Sequence, residues 1–490
     1  MPKKHPNILL IMTDNQPADL LGCYGNHEIH TPHLDRLAQQ GIRFNQTYCV
    51  NAMCSPCRAS VLTGLMPSQH GIHTWLDDRN MAEWPPNWNA LAAFETLPER
   101  LRSNGYKTAL IGKYHLGMPF TSQNGFDHWV TFPHGHTRDF WNNRVIENDQ
   151  QSTYPGHIVD YFTQQAVSYI NGHEADDDPF FLFLPYNAPY GHWPSVKGPA
   201  KNRFAHLYEN CPMHSIPREG LNRAVIERYI MRQGLSGGGL DYSAVLQIPN
   251  DLTTLRNYFS QMTLVDDGVG QVLAALQQQG LDDSTLVIFT CDHGFSLGHH
   301  GFWGHGQATW PANTHREAFN IPLLIRHTNH ITPLQVSDQM VSQIDLFSTI
   351  LDYAGVDSDD GLNTPATNLT PLLRGEKFTG PDAVFMEQEE TRAIRTREWL
   401  LMKRFDGSQT YTFQDELYDL VNDPAEQHNL AADPEFTHIV ETLSQRIDTF
   451  FANYNEPAYD LWQGGVAKSN SDKPFLWQEV WGEDWQELFS

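Results

Sequence analysis

Short apolar runs and longer segments of helical periodicity follow one another along most of the chain. Four continuous apolar runs predict buried strands, at 7–12, 108–111, 180–184 and 285–290. Three segments have helical character, at 33–41, 100–105 and 252–279. The first two end at a glycine, and Gly280 follows the third. This order predicts an α/β fold in which helices cover both faces of a mostly parallel sheet.

The carboxyl-terminal part has a different pattern. Short stretches typical of antiparallel strands lie at 383–387, 393–397, 399–404 and 416–420, and 437–454 predicts a covering helix. We therefore divide the chain into a large α/β domain at 1–379, a small antiparallel α+β subdomain at 380–455 and an aromatic tail at 456–490.

Two long stretches, 118–151 and 194–251, interrupt the α/β order and are rich in aromatic residues, histidine, proline and glycine. Long loops of this kind in a compact domain are commonly lids or binding walls. Surface decoration is the alternative interpretation, and the pattern alone does not separate the two.

The composition is that of a soluble globular protein, with 40% hydrophobic and 18% charged residues among 490. No apolar run approaches the ~20 residues of a membrane helix. The first six residues lead into the first strand without a signal-peptide pattern, so we expect a cytoplasmic protein. Six cysteines in so long a chain do not indicate a disulfide scaffold.

The net charge of −26 argues against a nucleic-acid partner, because no cluster of Lys and Arg is available to neutralise phosphates. An acidic protein that acts on an anion must build a locally positive pocket. Cations close to candidate site residues are therefore unusually informative.

Polar residues follow four of the predicted strands, at the edge where open α/β sheets place their sites. They are Asp14 and Asn15, Lys113 and His115, the segment 187–192 with His192, and Asp292 and His293. Taken singly, each pair could be turn residues. Together they predict one site at the carboxyl ends of the strands.

The segment Cys54-Ser55-Pro56-Cys57-Arg58 has the pattern C-x-P-x-R. Its C-x-x-C could be a redox motif, half of a zinc site or two structural cysteines. A zinc site needs a second close pair of ligands, and the other cysteines are scattered singly, at 23, 49, 211 and 291. The redox interpretation leaves Arg58 and the strand-end residues unexplained.

The C-x-P-x-R pattern and the strand-end residues, in this order over almost the whole chain, resemble the sulfatase family. The resemblance implies an alkaline-phosphatase-like α/β sandwich and hydrolysis of a small anionic sulfate ester. It also implies that a maturation enzyme oxidises Cys54 to formylglycine, whose hydrate is the nucleophile. A phosphonate monoester or phosphodiester hydrolase of the same superfamily remains an alternative, as do a thiol-disulfide protein and a non-catalytic binding protein.

The resemblance further implies one divalent cation, with ligands from Asp14, Asn15, Cys54, Asp292 and His293. Oxygen ligands favour Ca²⁺, with Mg²⁺ or Mn²⁺ as alternatives. Most sulfatases have Asp where this chain has Asn15. The amide keeps a carbonyl oxygen but removes one negative charge.

The remaining expected roles concern charge and proton transfer. By resemblance, Arg58 holds the hydrate, Lys113 neutralises the sulfuryl oxygens and His115 takes a proton from the second hydroxyl. His192, displaced by two residues from the family's N-A-P-H pattern, and His305, which replaces the usual lysine of G-L-W-G-K-G, are expected to assist the leaving group.

The aromatic tail contains Trp477, Trp481 and Trp485 at every fourth position. On a continuous helix these rings would form one face, and large exposed rings are typical of interfaces. We expect the tail to contact a second subunit of a homo-oligomer. Packing onto the chain's own domain is the alternative.

Overall fold

The architecture of the protein comes from a computed structural model. It describes residues 5–76, 81–82, 84–174, 177–192, 194–217, 220, 222–223, 225, 227–228, 251–357, 361–468, 476–482 and 485. Within these residues, no helix combines the length and apolar character needed to cross a bilayer. A large sheet and a small carboxyl-terminal sheet organise the fold.

The strands are numbered in chain order. The first twelve are β1 (Asn7–Asp14), β2 (Ile42–Tyr48), β3 (Lys107–Ile111), β4 (His128–Thr131), β5 (Trp141–Glu147), β6 (Gln150–His157), β7 (Phe180–Pro189), β8 (Thr285–Cys291), β9 (Ser296–Leu297), β10 (Trp303–Gly304), β11 (Leu323–Arg326) and β12 (Gln335–Ser342). All but β9 and β10, which pair with each other, belong to the large sheet, in the order β12-β2-β11-β8-β1-β7-β3-β4-β5-β6.

The centre of the large sheet is parallel. Strands β8, β1, β7, β3 and β4 pair in parallel, whereas β11, β5 and β6 make the antiparallel pairs. The α/β fold with a mostly parallel sheet is therefore confirmed. The four strands predicted from apolar runs are β1, β3, β7 and β8, and they are neighbours, so their carboxyl ends meet at one edge.

Helices cover both faces of this sheet. The α-helices are Pro32–Gln39, Cys54–Thr63, Pro67–His70, Leu97–Ser103, Ile158–Asn171, Leu252–Gln278, Arg316–Phe319, Asp345–Tyr353, Thr370–Leu373, Thr437–Asn453 and Leu476–Trp481. In β1, Leu9 and Ile11 pack into the core that contains the Leu252–Gln278 helix. Ile8, Leu10 and Met12 point to the other core, which contains the Cys54–Thr63 helix.

The interpretation of 118–151 as an irregular stretch is wrong in part, because it contains β4 and β5 and the start of β6. These strands extend one edge of the sheet. Residues of β5 are partly exposed at alternate positions near its start, so the strand has no continuous apolar run. The described part of 194–251 includes a 3₁₀ turn, Ala205–Tyr208, while 231–250 lie outside the described residues.

The small sheet is antiparallel, as the sequence predicts. Its strands β13 (Ala383–Gln388), β14 (Thr391–Thr396), β15 (Trp399–Arg404) and β16 (Glu416–Asp419) pair in chain order. The Thr437–Asn453 helix packs against them, with the rings of Phe385 and Phe450 stacked at 3.9 Å. The small apolar core formed there also includes Val50, Met66 and Ile344 of the large domain.

A buried ionic junction joins this subdomain to the large domain. Glu426 pairs with Arg395 of β14 and with the Nδ1 atom of His315, and its second oxygen also accepts the Arg316 backbone N–H. Both carboxylate oxygens are therefore occupied. This junction fixes the small sheet against the segment that follows His305.

The tail does not form the single aromatic face expected from its spacing. Its helix ends at Trp481, and Trp485 lies beyond it. Trp477 and Trp485 are buried against Phe405 and Leu461 of the same chain, whereas Trp481 is 41% exposed. Trp481 also contacts the same chain, because its Nε1 donates to the Leu461 carbonyl oxygen at 2.9 Å and its ring centroid lies 6.1 Å from that of Phe405. All three rings therefore pack on the chain's own domain, and the homo-oligomer stays a prediction.

The close approach of β3 to β7 requires glycine at position 112. Gly112 has φ 145°, and a Cβ atom there would lie 2.1 Å from the Pro185 carbonyl oxygen. We expect Gly112→Ala to lower the free energy of unfolding by about 2–3 kcal/mol. At Gly172 the nearest atom would be 3.4 Å away, so Gly172→Ala is the matched control. Urea unfolding measures both, and equal losses of stability in the two variants would contradict the argument.

Candidate active site

The parallel strands bring the predicted ligands together at their carboxyl ends. Asp14 is the last residue of β1, and Asp292 and His293 follow β8. The pairing of Thr13 with Cys291 places Asp14 beside Asp292. Asn15 turns the chain away from β1 with a φ of 63°, a backbone region that Asn tolerates better than most residues.

Cys54 lies in the first turn of the buried Cys54–Thr63 helix, which points this turn at the strand ends. Its Sγ atom is 3.7 Å from Asp14 Oδ1 and 3.4 Å from His293 Nε2. Arg58, four residues later, is on the same helix face and reaches the same carboxylates. Cys57 instead donates to the Asn51 carbonyl oxygen.

Four buried charges balance one another around Asp14. Lys113 Nζ lies 2.6 Å from Asp14 Oδ2, and Arg58 Nη2 lies 2.8 Å from Asp292 Oδ2 and 3.2 Å from Asp14 Oδ2. All four side chains are fully buried. Burial raises the pKa of Asp292, but His293, Arg58 and Lys113 outweigh it and hold that pKa below its ordinary value. The frame of two carboxylates and two cations is therefore neutral.

The donor set fits a divalent cation. Ligand atoms of Asp14, Cys54, Asp292 and His293 lie within 4.8 Å of one another. Asn15 Oδ1 is buried and has no hydrogen-bond partner in the part of the chain that the structure describes. The Nδ1 atom of His293 lies 2.8 Å from the Gly294 carbonyl oxygen, an arrangement that directs Nε2 to the cluster. An unsatisfied amide oxygen among carboxylates and an oriented imidazole is what a hard cation requires.

The Cys54 thiol does not have the properties of a redox cysteine. Burial raises its pKa, and the Asp14 carboxylate adds to the shift. The pKa of Cys57 is also well above its ordinary value, first through burial and then through Cys49. Redox motifs need a thiol with a lowered pKa, so the raised pKa values of Cys54 and Cys57 do not favour a thiol-disulfide function.

His115 is arranged as a base. It follows β3 with a φ of 59°, and its Nε2 atom lies 2.8 Å from the Leu76 carbonyl oxygen, which leaves Nδ1 as the acceptor. That Nδ1 is buried and has no hydrogen-bond partner among the described residues. Burial, then Lys113 and His136, hold the pKa of His115 well below its ordinary value, so its imidazole is neutral near pH 7.

A cavity of about 350 Å³ opens above Cys54, and His192 and His305 lie on its wall. Their ring centroids are 4.9 Å apart, and His305 is 5.2 Å from the His293 ring. Burial, then His136 and His293, lower the pKa of His192 to about 3. The fold thus brings every residue of the predicted site to one place.

Sequence reasoning missed the other walls of this cavity. Trp75, His136, Thr137, Arg138 and Gln307 line it. The enrichment of 118–151 in histidine and aromatic residues left a binding wall and surface decoration as alternatives, and three of these residues belong to that stretch. The signal did not identify which residues face the cavity.

Sequence reasoning also missed the support that the small sheet gives to the segment before Cys54. Gln388 Oε1 accepts the Ala52 backbone N–H at 3.0 Å. The backbone N–H of Glu387 donates to the Val50 carbonyl oxygen, and Asn51 Nδ2 donates to that of Glu387, each at 2.8 Å. The hairpin between β13 and β14 therefore fixes the start of the Cys54–Thr63 helix.

Comparison with known protein families identifies this arrangement. A family model described as Sulfatase matches residues 6–356, and one described as N-sulphoglucosamine sulphohydrolase, C-terminal, matches residues 312–453. The chain belongs to the sulfatase family. It is accordingly a sulfuric ester hydrolase.

Relatives of this sulfatase act on chemically different esters. This chain is 25% identical to an N-acetylglucosamine-6-O-sulfatase of Bacteroides thetaiotaomicron, and the match covers 92% of this chain and 87% of the relative. It is 27% identical to a choline-sulfatase of Rhizobium meliloti, over 93% of this chain and 88% of the relative.

Solved structures confirm the fold. A protein in complex with its substrate D-glucosamine-2-N,6-O-disulfate matches with a TM-score of 0.71 at 24% identity, over 92% of this chain and 98% of that one. A phosphonate monoester hydrolase of Agrobacterium radiobacter matches with a TM-score of 0.68 at 20% identity, over 92% and 96%. The sulfatase thus shares its fold with hydrolases of two ester classes.

Cation binding should depend on the charge of Asp14. Elemental analysis of the purified sulfatase should find one divalent cation per chain, and Asp14→Asn should lose it because the cluster then has one carboxylate fewer. Asn15→Asp, which adds a charge beside Asp14, should bind the cation more tightly. A protein without stoichiometric metal, with activity that survives exhaustive chelation, would contradict this assignment.

Proposed function

We propose that this sulfatase hydrolyses sulfate esters with a formylglycine formed from Cys54 and a divalent cation held by Asp14, Asn15, Cys54, Asp292 and His293. The observation that carries the proposal is the position of the Cys54 Sγ atom, within 4.8 Å of ligand atoms of Asp14, Asp292 and His293. When bound, the cation acts as a Lewis acid that polarises the sulfuryl group and lowers the pKa of the attacking hydroxyl.

Formylglycine can release the sulfate that it takes from the substrate, whereas a thiol cannot. Attack of a thiol on sulfur forms a dead-end adduct. In the aldehyde hydrate, one hydroxyl oxygen attacks sulfur and the bond to the ester oxygen breaks, which releases the alcohol. The second hydroxyl then loses its proton, the bond between carbon and the sulfated oxygen breaks, and sulfate leaves as the aldehyde re-forms.

His115 is the base of the second step. Its Nδ1 lone pair has no partner in the described structure, and its low pKa keeps it unprotonated. Since Nε2 is held by the Leu76 carbonyl oxygen, the ring cannot turn without losing that hydrogen bond. We assign the proton of the second hydroxyl to Nδ1, because this nitrogen has no other partner in the described structure.

Lys113 and Arg58 stabilise the charge of the transferring group. Both are buried and pre-positioned by Asp14 and Asp292, so little reorganisation is needed during reaction. His192 and His305 lie on the cavity wall, where the alcohol departs. His192 is neutral near pH 7 because its pKa is lowered, so it donates a hydrogen bond to the departing oxygen, and His305 donates a hydrogen bond or a proton.

The burial of Cys54 determines when the maturation enzyme can reach it. The residue is 5% exposed within a buried helix. An enzyme that oxidises it needs access to the extended peptide, so conversion precedes folding of this segment. The partner is therefore required during synthesis and not by the mature sulfatase.

Hydrolysis of a phosphonate monoester or phosphodiester is the second candidate function. These esters carry one negative charge, as a sulfate monoester does, so the same cation and the same pair of Lys113 and Arg58 would serve. The amide at Asn15 is compatible with either chemistry. The family match favours sulfate.

Replacing Cys54 tests the nucleophile. Cys54→Ala should lower kcat on an aryl sulfate by at least about 1,000-fold without unfolding the protein, because the covalent route is lost. Cys57→Ala is the matched control and should keep most of the activity. An aldehyde probe should label the wild type and Cys57→Ala but not Cys54→Ala. Equal loss of activity in both variants would support the redox interpretation instead.

Paired substrates test the ester class. The kcat/KM of the wild type for an aryl sulfate should exceed that for the aryl methylphosphonate with the same leaving group. Both reactions should disappear in Cys54→Ala, since they share the nucleophile. A higher kcat/KM for the phosphonate would reverse the assignment.

A further inference from the structure

A guanidinium without a carboxylate partner lies on the wall of the cavity above Cys54. Arg138 is exposed and lines this cavity, and it makes no ion pair or hydrogen bond within the described structure. Carboxylates are abundant in this chain, with 58 acidic residues against 32 basic ones. Arg203, for comparison, pairs with both Asp160 and Asp267. An unpaired arginine at this place is available to a ligand.

The backbone beside Arg138 is fixed to the site. Thr137 is buried, and its Oγ1 donates to the Asn187 carbonyl oxygen at 3.1 Å. Asn187 Nδ2 donates back to Thr137 Oγ1 at 2.9 Å. Asn187 belongs to β7, which is the neighbour of β1 and its Asp14. The backbone from which the Arg138 side chain extends is thus held close to the reacting centre.

The rest of the wall suits a single ring. Trp75, Tyr190 and Pro194 offer apolar surfaces, and the His136 ring lies edge-on to Trp75 and to His115, at 6.3 and 5.4 Å between centroids. The volume of about 350 Å³ is at the low end for ligand pockets, which span about 300–1,000 Å³. There is room for one ring and its substituents beyond the scissile sulfate.

The charge of the residues that line the cavity favours substrates whose alcohol part has a particular charge. None of the described side chains lining the cavity is a carboxylate. A cationic alcohol would meet Arg138 with no compensating charge on those residues, and a neutral alcohol would make no use of it. A second anion would pair with the guanidinium through two parallel N–H groups.

We infer that the ring bearing the scissile sulfate carries a second oxyanion, a carboxylate or another sulfate, and that Arg138 binds it. This inference rests on the proposed sulfatase function and names its substrate class. The net charge of −26 opposes the approach of a dianion, so a fixed cation at the cavity is needed for such a substrate.

A matched pair of substrates isolates the second charge. Hexosamine 6-O-sulfate is presented with an N-acetyl group or with an N-sulfate, and a sulfated hexuronate supplies the carboxylate form. The wild type should have a higher kcat/KM for the two dianionic substrates than for the N-acetyl compound. Choline sulfate, whose alcohol carries a quaternary ammonium, should be the poorest substrate.

The variants assign the effect to one side chain. Arg138→Ala should lower kcat/KM for the dianionic substrates by about 10- to 100-fold, mainly through KM, and change that for the N-acetyl compound by less than about twofold. Arg138→Lys should recover part of the loss. Arg144→Ala is the control, because it removes the same charge away from the cavity. Arg144 is exposed on β5, and its guanidinium donates a hydrogen bond to Gln151.

The outcomes separate this inference from the function on which it rests. Equal kcat/KM values for the N-acetyl and N-sulfate compounds, or equal losses on both in Arg138→Ala, would overturn the role of Arg138 and leave the sulfatase function intact. Choline sulfate as the best substrate would also overturn it. A wild type that hydrolyses no sulfate ester would overturn the function itself.

Discussion

The buried ion-pair network around Asp14 is the interaction on which the rest of the site depends. Asp14, Asp292, Arg58 and Lys113 are fully buried, and such charges are tolerated only when they are paired. They come from β1, from the ends of β8 and β3, and from one helix, so the sheet order determines the site. Because the frame is neutral, a bound divalent cation makes it positive and attracts an anionic ester into a strongly acidic protein.

The two departures from the family pattern that the sequence shows lie close together. Asn15 stands where the resemblance implies an aspartate, and His305 stands where it implies a lysine. The two side chains border the same ligand, since Asn15 Nδ2 lies 3.4 Å from His293 Nε2 and the His305 ring is 5.2 Å from that imidazole. The two departures therefore lie beside one imidazole, that of His293.

Sequence reasoning predicted the centre of the site because each of its residues lies next to a recognisable pattern in the sequence. Strands buried on both faces appear as apolar runs, and polar residues at their ends, such as Asp14 and Asp292, are visible beside them. The edge strands β5 and β6 have no such run, and Arg138 reaches the cavity through the link between Thr137 and Asn187. The support from Gln388 to Ala52 joins residues far apart in sequence, so only the folded structure shows it.

An electron-density map of crystals grown from fully active protein, with anomalous scattering to locate the metal, tests the central claim most directly. The account predicts one cation contacted by Asp14, Asn15, Asp292 and His293, with formylglycine at position 54 facing it. An unmodified thiol at position 54 in active crystals, or a cation bound away from Asp14, would contradict the account.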